Sequence, residues 1–371
     1  MNHNRRLFHI NVTRQCQLAC SHCYIDQAIR DNNTAMRADT LQEIANVIKD
    51  THADVHIIGG EPTLVSINTH QQYLSILSTL KNSKIMIVTA LQNARAVKVA
   101  KLYQNIATSY DPGARTGART EINNNSIDDN NTNININTNQ WLARCRELRE
   151  QGHNLHVCTS LSQSVIDYGV SKVLEDLYQY GFKSVHLAAM VPTPNALNET
   201  PDPMITSQAM IVSAKWVLKK RKTDKNINLF VSPFDGLMRG MNNYDGLRCP
   251  AGQSCVNVEP NGQIHACVAK GGEVSGEISS DVSDNVKDIK GVKDIKNIKN
   301  IKNISNNQTP PIKEQLSSNA YRLAVAQHNR TEQERNALVV SFGQPAKVAV
   351  EYWQTLRLPN AHPSVQALKP F

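Results

Sequence analysis

Short apolar runs alternate along this chain with longer stretches in which apolar residues recur at helical spacing. The apolar runs predict buried strands at residues 7–12, 55–58, 84–89, 106–111, 155–161 and 185–191. The amphipathic stretches predict helices at residues 40–50, 92–104, 139–151, 164–180 and 207–222. Strands that alternate with helices are typical of parallel βαβ units. The pattern therefore predicts an α/β fold.

The later part of the chain has a different pattern. Pro260, Asn261 and Gly262 form a strong turn signal between two short strand patterns, 256–258 and 263–265, which predicts a β-hairpin. Two low-complexity segments, at about 121–139 and about 273–312, are rich in asparagine or lysine and are predicted to be disordered insertions. We expect a barrel-like domain over residues 1–235 and a C-terminal extension with helices over residues 236–371.

Composition narrows the class of protein. Hydrophobic residues make up 40% of the 371 positions, enough for a sizeable core. No run approaches the ~18 apolar residues of a membrane span, and no signal peptide precedes the first strand. Eight cysteines without an export signal predict a reducing, cytoplasmic location in which thiolates can bind metal. We expect no membrane partner.

The net charge of +8 suggests nucleic acid as a partner, but its location argues against this. Six lysines and two aspartates lie between residues 287 and 302, so this low-complexity stretch carries half of the net charge. An unstructured insertion explains this composition better than a binding surface does. A basic arm for acidic partners is the alternative.

The most informative residues are Cys16, Cys20 and Cys23, here called the first cysteine trio, which follow the first predicted strand. A 4Fe–4S cluster usually takes four cysteines, so three would leave one iron open for another ligand. Zinc is the alternative metal, but structural zinc sites tend to close a tetrahedron with two pairs of ligands. The C-x3-C-x2-C spacing favours a cluster.

A second motif, Gly59-Gly60-Glu61-Pro62, ends the second predicted strand and is here called the glycine turn. Glycines at a strand end let the backbone approach a ligand closely. Together with the first cysteine trio, this motif resembles the radical S-adenosylmethionine (radical SAM) superfamily over roughly residues 5–270. The resemblance implies a partial (β/α)6 TIM-type barrel that binds a 4Fe–4S cluster and S-adenosylmethionine (AdoMet).

The resemblance also implies which residues lie at the cofactors. His22 occupies the motif's aromatic position, and Thr89 and Ser109 end the third and fourth strands. Thr89 could instead simply cap the next helix. The expected cofactor-binding residues are His22, Tyr24, Gly59, Gly60, Glu61, Pro62, Thr89 and Ser109. A flavodoxin- or ferredoxin-type electron donor is the expected partner.

A second cysteine trio, Cys249, Cys255 and Cys267, surrounds the predicted hairpin. It fits a further Fe–S cluster, with zinc as the alternative. The segment resembles a truncated SPASM/twitch extension, in which later cysteines complete two auxiliary clusters. The sequence has no cysteine after Cys267, so we expect at most one auxiliary cluster. Its fourth ligand could be the substrate, His265, Cys145 or Cys158. We expect Cys145 and Cys158 to be ordinary buried residues instead.

The resulting hypothesis is an oxidoreductase or maturase that cleaves AdoMet reductively and takes a hydrogen atom from a peptide or small molecule. The first strand starts near residue 7, so we expect no leader-binding domain ahead of it. Asp235, Glu259 and His186 are candidate acids or bases, with structural roles equally open. The alternatives are a structural zinc or Fe–S protein that contacts nucleic acid or a protein partner, and a radical SAM protein without turnover.

Overall fold

The computed structural model describes residues 6–31, 34–49, 53–114, 132–190, 193–224, 227–232, 234–235 and 255–265. Several expectations lie outside these residues. They concern Cys249, Cys267, the insertion at about 273–312 and the C-terminal helices. The boundary predicted at 235/236 also borders on undescribed chain, and it stays a prediction.

All six predicted strands and the predicted hairpin are present. The strands are β1 (Arg6–Thr13), β2 (Ala53–Gly59), β3 (Ile85–Val88), β4 (Asn105–Ser109), β5 (Asn154–Leu161), β6 (Ser184–Ala189), β7 (Phe230–Ser232), β8 (Cys255–Val258) and β9 (Ile264–His265). The helices are α1 (Gln27–Arg30), α2 (Ala38–Ile48), α3 (Ile67–Leu77), α4 (Ala94–Ala100), α5 (Thr132–Glu150), α6 (Gln163–Tyr168), α7 (Val170–Gln179) and α8 (Pro203–Thr223). Two 3-10 turns, Pro62–Leu64 and Pro194–Glu199, follow β2 and β6.

The strands form one nine-stranded sheet in the order β7-β6-β5-β4-β3-β2-β1-β8-β9. Every neighbouring pair is parallel except β8 and β9, which form an antiparallel hairpin. Within the described part of the chain the sheet does not close, because β7 and β9 remain at its two edges. The expected partial barrel is therefore confirmed.

One face of the sheet is apolar and belongs to the hydrophobic core. In β1, Phe8, Ile10 and Val12 are buried, as are Leu41 and Ile44 of α2 in the same core. Burying one such side chain contributes about 1.5–3 kcal/mol. Packing against the helices therefore decides which face of each strand points toward them.

The opposite face of the sheet is polar, with Asn11 fully buried and three of its histidines, His9, His56 and His156, half-buried. His9 and His56 are register partners, and their rings stack with centroids 5.3 Å apart. Two further histidines repeat one arrangement, in which Nδ1 lies 3.0 Å from a serine Oγ on the next strand: His156 with Ser184, and His186 with Ser232. Burial lowers the pKa of His56 to about 4. This face can therefore hold neutral imidazoles and polar ligands.

Two helices differ from the predicted bounds for identifiable reasons. α5 begins at Thr132, so the end of the asparagine-rich segment is helical rather than a disordered loop. Its later turns are anchored by the buried Trp141, and adding turns to a nucleated helix costs little. The helix predicted at 164–180 is divided into α6 and α7 at Gly169, whose φ of 100° is incompatible with a continuous helix. No described helix is both long and apolar enough to cross a membrane.

The hairpin attaches directly to the first strand. β8 pairs with β1 from Leu7 opposite Cys255 to Ile10 opposite Val258. A buried ion pair joins them, with Arg14 Nε donating to Glu259 Oε2 at 2.7 Å and Nη2 donating to Oε1. Asn257 Nδ2 also donates to Glu259 Oε1 at 2.9 Å. The hairpin is therefore an integral edge of the sheet.

Replacing Glu259 by glutamine should destabilise the protein by about 3–5 kcal/mol, because Arg14 would be left as a buried charge without its counter-ion. Urea unfolding measures the difference. Asp39→Asn is the matched control, since the Arg37–Asp39 pair has side chains 80% and 61% exposed. The control should leave the urea midpoint nearly unchanged, because ion pairs exposed to solvent contribute little to stability. Equal losses in the two variants would contradict a structural role for the buried pair.

Stability should fall as the pH drops from about 6.5 towards 4. The folded state keeps His56 neutral, whereas the unfolded chain takes up a proton near pH 6.5. The unfolded state then binds more protons, so acid favours it. Neighbouring His156 adds to the lowering of the His56 pKa, and Asp54 opposes it. Urea midpoints at about pH 7.5 and about pH 5 check this, and His56→Gln should show the smaller difference.

Candidate functional site

The candidate site lies where β1 and β2 end. Carboxyl ends of parallel strands meet at one edge of a sheet, where functional residues of such folds gather. The loop after β1 carries the first cysteine trio, and all three thiols are partly exposed. Backbone hydrogen bonds fix the loop, from Cys16 N to Arg30 O at 3.1 Å and from Ser21 N to Ala114 O at 3.1 Å.

The three thiols lie close enough to influence one another. The pKa of Cys16 is raised to about 12, first by burial and then by nearby Glu61, Cys20 and Cys23. A metal has to displace the thiol protons, because thiolate is the ligating form. Leu18 N lies 3.5 Å from Cys16 Sγ, and such hydrogen bonds to sulfur tune the potential of Fe–S clusters. The trio therefore fits an Fe–S cluster.

Zinc, the alternative metal, makes a different geometric demand on the same residues. A zinc ion needs its donors about 2.0–2.3 Å from a single point. Cluster cysteines ligate separate irons and need no such convergence. Among the described residues, no three Cys, His, Asp or Glu side chains are arranged to hold one metal ion.

The glycine turn packs directly against the start of the cysteine loop. Gly60 N donates to Thr13 O at 2.9 Å, and Glu61 N donates to Gln15 O at 2.8 Å. A Cβ on Gly60 would lie 2.3 Å from Gln15 O, and one on Gly59 would lie 2.0 Å from Thr13 O. Only glycine fits at these two positions. The close approach of the two chain segments therefore explains why Gly59 and Gly60 are glycines, without any need for a ligand.

Glu61 holds the turn against the third strand. Its Oε1 accepts from Thr89 Oγ1 at 2.7 Å and from Thr63 Oγ1 at 2.7 Å, and its Oε2 accepts from Ala90 N at 2.8 Å. Glu61 and Thr89 are both buried. The Thr89 hydroxyl thus positions Glu61. The roles predicted from the sequence were cofactor contact or helix capping, and this one was not among them.

The remaining predicted cofactor residues lie on the cysteine loop or at the same edge of the sheet. His22 Nε2 lies 3.7 Å from Asp111 Oδ2, and His22 Nδ1 is buried without a hydrogen-bond partner. Burial raises the pKa of Tyr24 to about 12, although the neighbouring Arg14 opposes this rise. Ser109 ends β4 opposite Cys158 and is partly buried. His22 and Tyr24 thus lie on the loop itself, and Ser109 on the same strand-end edge.

Two acidic residues that were not predicted as site residues also brace the loop. Asp111 follows Ser109, and its Oδ1 accepts from Ser160 N at 2.7 Å. Glu199 accepts from Ser21 Oγ at 2.8 Å and from Ser164 Oγ at 2.7 Å. The position of Asp111 in the turn after β4 could have identified it as a site residue. Glu199 stands in a Pro/Asn-rich stretch that contains no such sign.

The second cysteine trio is represented by Cys255 alone among the described residues. Cys255 starts β8 opposite Leu7, and its Sγ lies 3.7 Å from His9 Nδ1. With ~3.3 Å per strand residue, the length of β1 separates it from the first cysteine trio by about 20 Å. Cys255 therefore cannot share a cluster with that trio.

The alternative fourth ligands and the candidate acids or bases have identifiable surroundings. Cys145 is buried in α5, and burial raises the pKa of Cys158 in β5 to about 12. His265 of β9 pairs with Asn257. Asp235 is buried, pairs with Arg221 and accepts from Val231 N at 2.6 Å. With Glu259 paired to Arg14 and His186 beside Ser232, each acid–base candidate has a structural partner.

Comparison with known proteins agrees with this geometry. A model of the 4Fe–4S single cluster domain family matches residues 6–113, which include the first cysteine trio and the glycine turn. No curated protein matches the chain. Among solved structures, native anSMEcpe with bound AdoMet is similar at TM-score 0.56 and 14% identity, covering 71% of this chain and 74% of that one.

The chain has the radical SAM fold. Streptococcus suis SuiB bound to precursor peptide SuiA is also similar, at TM-score 0.50 and 15% identity, covering 72% of this chain and 60% of that one. The radical SAM resemblance and the 4Fe–4S domain predicted from the sequence are thereby confirmed.

Gly60→Ala should disrupt the junction between the glycine turn and the cysteine loop. The added Cβ would lie 2.3 Å from Gln15 O, so one segment has to move. We expect lower stability to urea and less iron bound after anaerobic reconstitution. Gly152→Ala is the control, because its Cβ meets nothing within 4 Å and only its φ of +84° is strained. Equal iron content in both variants would contradict the steric explanation.

Proposed function

We propose that this protein is a radical SAM enzyme that binds a 4Fe–4S cluster through Cys16, Cys20 and Cys23. When bound, the cluster and AdoMet would supply an electron and a 5′-deoxyadenosyl radical that takes hydrogen from a substrate. The observation that carries the proposal is the contact between the cysteine loop and the glycine turn. This contact brings the cysteine loop and the glycine turn together beyond the ends of β1 and β2.

Each residue of the site has a part in this proposal. The thiolates of the first cysteine trio would ligate three irons and leave the fourth open. The backbone of the glycine turn would hold the amino group of AdoMet, as the family resemblance implies. His22, Tyr24 and Ser109 would line the cofactors, whereas Thr89 would act through Glu61. Protein groups thus supply position and exclusion of water, and the cofactors supply the difficult chemistry.

A peptide is the substrate class that the similar structures favour. AnSMEcpe is described with bound AdoMet and the Kp18Cys peptide, and SuiB with the precursor peptide SuiA. An extended chain would approach the cofactors along the polar face of the sheet. A small molecule is the other candidate, and the polar face would accommodate it as well.

The remaining parts of the proposal concern the rest of the chain. We infer a radical SAM core over residues 1–235 and an extension over residues 236–371 that would hold one auxiliary Fe–S cluster on Cys249, Cys255 and Cys267. This cluster would accept an electron from the product radical or anchor the substrate. It would be a separate centre, because Cys255 lies opposite Leu7, the length of β1 away from the first cysteine trio. A flavodoxin- or ferredoxin-type protein in the cytoplasm would supply the electron.

AdoMet cleavage tests the central claim. The purified protein is reconstituted anaerobically with iron and sulfide and then mixed with dithionite and AdoMet, and 5′-deoxyadenosine is quantified. Cys20→Ala should abolish its formation, because the cluster loses a ligand. Cys255→Ala should retain it, because this thiol starts β8 at the far end of β1.

Two outcomes would overturn the proposal. One is a full cluster that forms no 5′-deoxyadenosine. The other is zinc in place of iron in protein isolated anaerobically, which would favour a structural metal site.

A further inference from the structure

A fully buried histidine on α3, His70, contacts the glycine turn on the side of the helical layer. His70 Nε2 lies 2.9 Å from the carbonyl oxygen of Pro62, the last residue of the turn. Its Nδ1 lies 2.7 Å from the hydroxyl of Tyr103, which is also buried. The chain Tyr103–His70–Pro62 thus links the helical layer to the candidate AdoMet site.

The chemistry of the three groups determines where the protons lie. A carbonyl oxygen only accepts, so Nε2 must carry a proton and donate it to Pro62 O. In a neutral ring Nδ1 then accepts, and the Tyr103 hydroxyl is its donor. Burial lowers the pKa of His70, which fits a neutral ring. A single tautomer therefore satisfies every hydrogen-bonding atom of the imidazole.

The turn is held from two sides by independent contacts. Glu61 attaches it to the end of β3 through Thr89 and Ala90. His70 attaches its far end to α3, where Pro62 O also accepts from Val65 N at 3.1 Å. Binding sites gain affinity when the groups that contact the ligand are already ordered. The imidazole thus orders the turn backbone that would contact AdoMet, and it does so without contacting AdoMet itself.

We propose that His70, oriented by Tyr103, is a positioning residue that holds the glycine turn in the geometry that binds AdoMet. This inference rests on the proposed function. It implies that loss of the Nε2 donor weakens AdoMet binding while the cluster on the first cysteine trio still assembles.

Three variants separate positioning from simple packing. His70→Leu removes one of the two donors to Pro62 O and should weaken AdoMet binding about tenfold, because only Val65 N then holds this end of the turn. His70→Gln keeps a side-chain N–H and should restore most of the affinity. Tyr103→Phe leaves Nδ1 without a donor and should weaken binding by a smaller factor.

Tyr73→Phe is the matched control. Tyr73 lies on the same helix and is fully buried, and its hydroxyl donates to Met36 O and not to the turn. Phenylalanine keeps the ring, which makes a T-shaped contact with the ring of His70. Its loss should lower the urea midpoint without changing the AdoMet dissociation constant. Equilibrium dialysis of reconstituted protein with labelled AdoMet measures affinity, and iron content measures cluster assembly.

Hydrogen–deuterium exchange of the peptide spanning residues 59–65, before reconstitution, provides a readout without cofactors. Exchange there should be faster in His70→Leu than in Tyr73→Phe. If His70→Leu fails to fold, His70→Gln and Tyr103→Phe still decide the question through their AdoMet affinities.

The outcomes distinguish the positioning role of His70 from the proposed function of the protein. Unchanged AdoMet affinity in His70→Leu and Tyr103→Phe, with tight binding by the natural protein, would overturn the positioning role and leave the proposed function standing. Absence of AdoMet binding by natural protein with a full cluster would overturn both. Weaker binding in His70→Leu with normal iron content and rescue by His70→Gln would establish the role.

Discussion

The site depends on one steric constraint, the close approach of two backbone segments beyond neighbouring parallel strands. Residues 13–15 and 59–61 continue the hydrogen bonding of β1 and β2 past the point where side chains would fit. With no Cβ atoms between them, the loop that carries three cysteines lies directly on the turn after β2. A cluster and a molecule bound by the turn would consequently be neighbours without any dedicated connecting element.

Rigid support for this junction comes from polar groups in the interior. Glu61 is buried, and its two oxygens accept from Thr63, Thr89 and Ala90. Arg14, at the start of the cysteine loop between the two residues that accept from the turn, is neutralised by Glu259. Buried polar groups are tolerated only when they are hydrogen-bonded or paired, so each of them accepts few alternative arrangements of its partners. The loop that bears the cysteines is thus specified by polar contacts on both sides, whereas apolar packing specifies the sheet beneath it.

Much of this architecture could be predicted from local sequence. Strands and helices have distinct periods, and the spacing of Cys16, Cys20 and Cys23 predicts that they share one ligand. Contacts between distant residues could not be predicted in the same way. Neither Arg14 nor Glu259 carries a local signal, because their pairing depends on which strands become neighbours. Thr89 shows the limit at a single residue, since a hydroxyl at a strand end suits a ligand, a helix cap or a buried carboxyl equally well. The break at Gly169 was missed because a lone glycine inside a helical pattern is often tolerated.

Pairing of β8 with β1 also sets an order of events during synthesis. The first strand leaves the ribosome early, but its outer edge gains a partner only when residues 255–258 have been made. Chains grow at about 5–20 residues per second, so this edge stays unpaired for roughly 10–50 seconds. An unpaired strand edge is a template for association with other chains. In the same interval Arg14 lacks Glu259. The nascent protein therefore holds all three cysteines of its first trio well before the loop that carries them is locked, and newly made chains are most prone to aggregation during that interval.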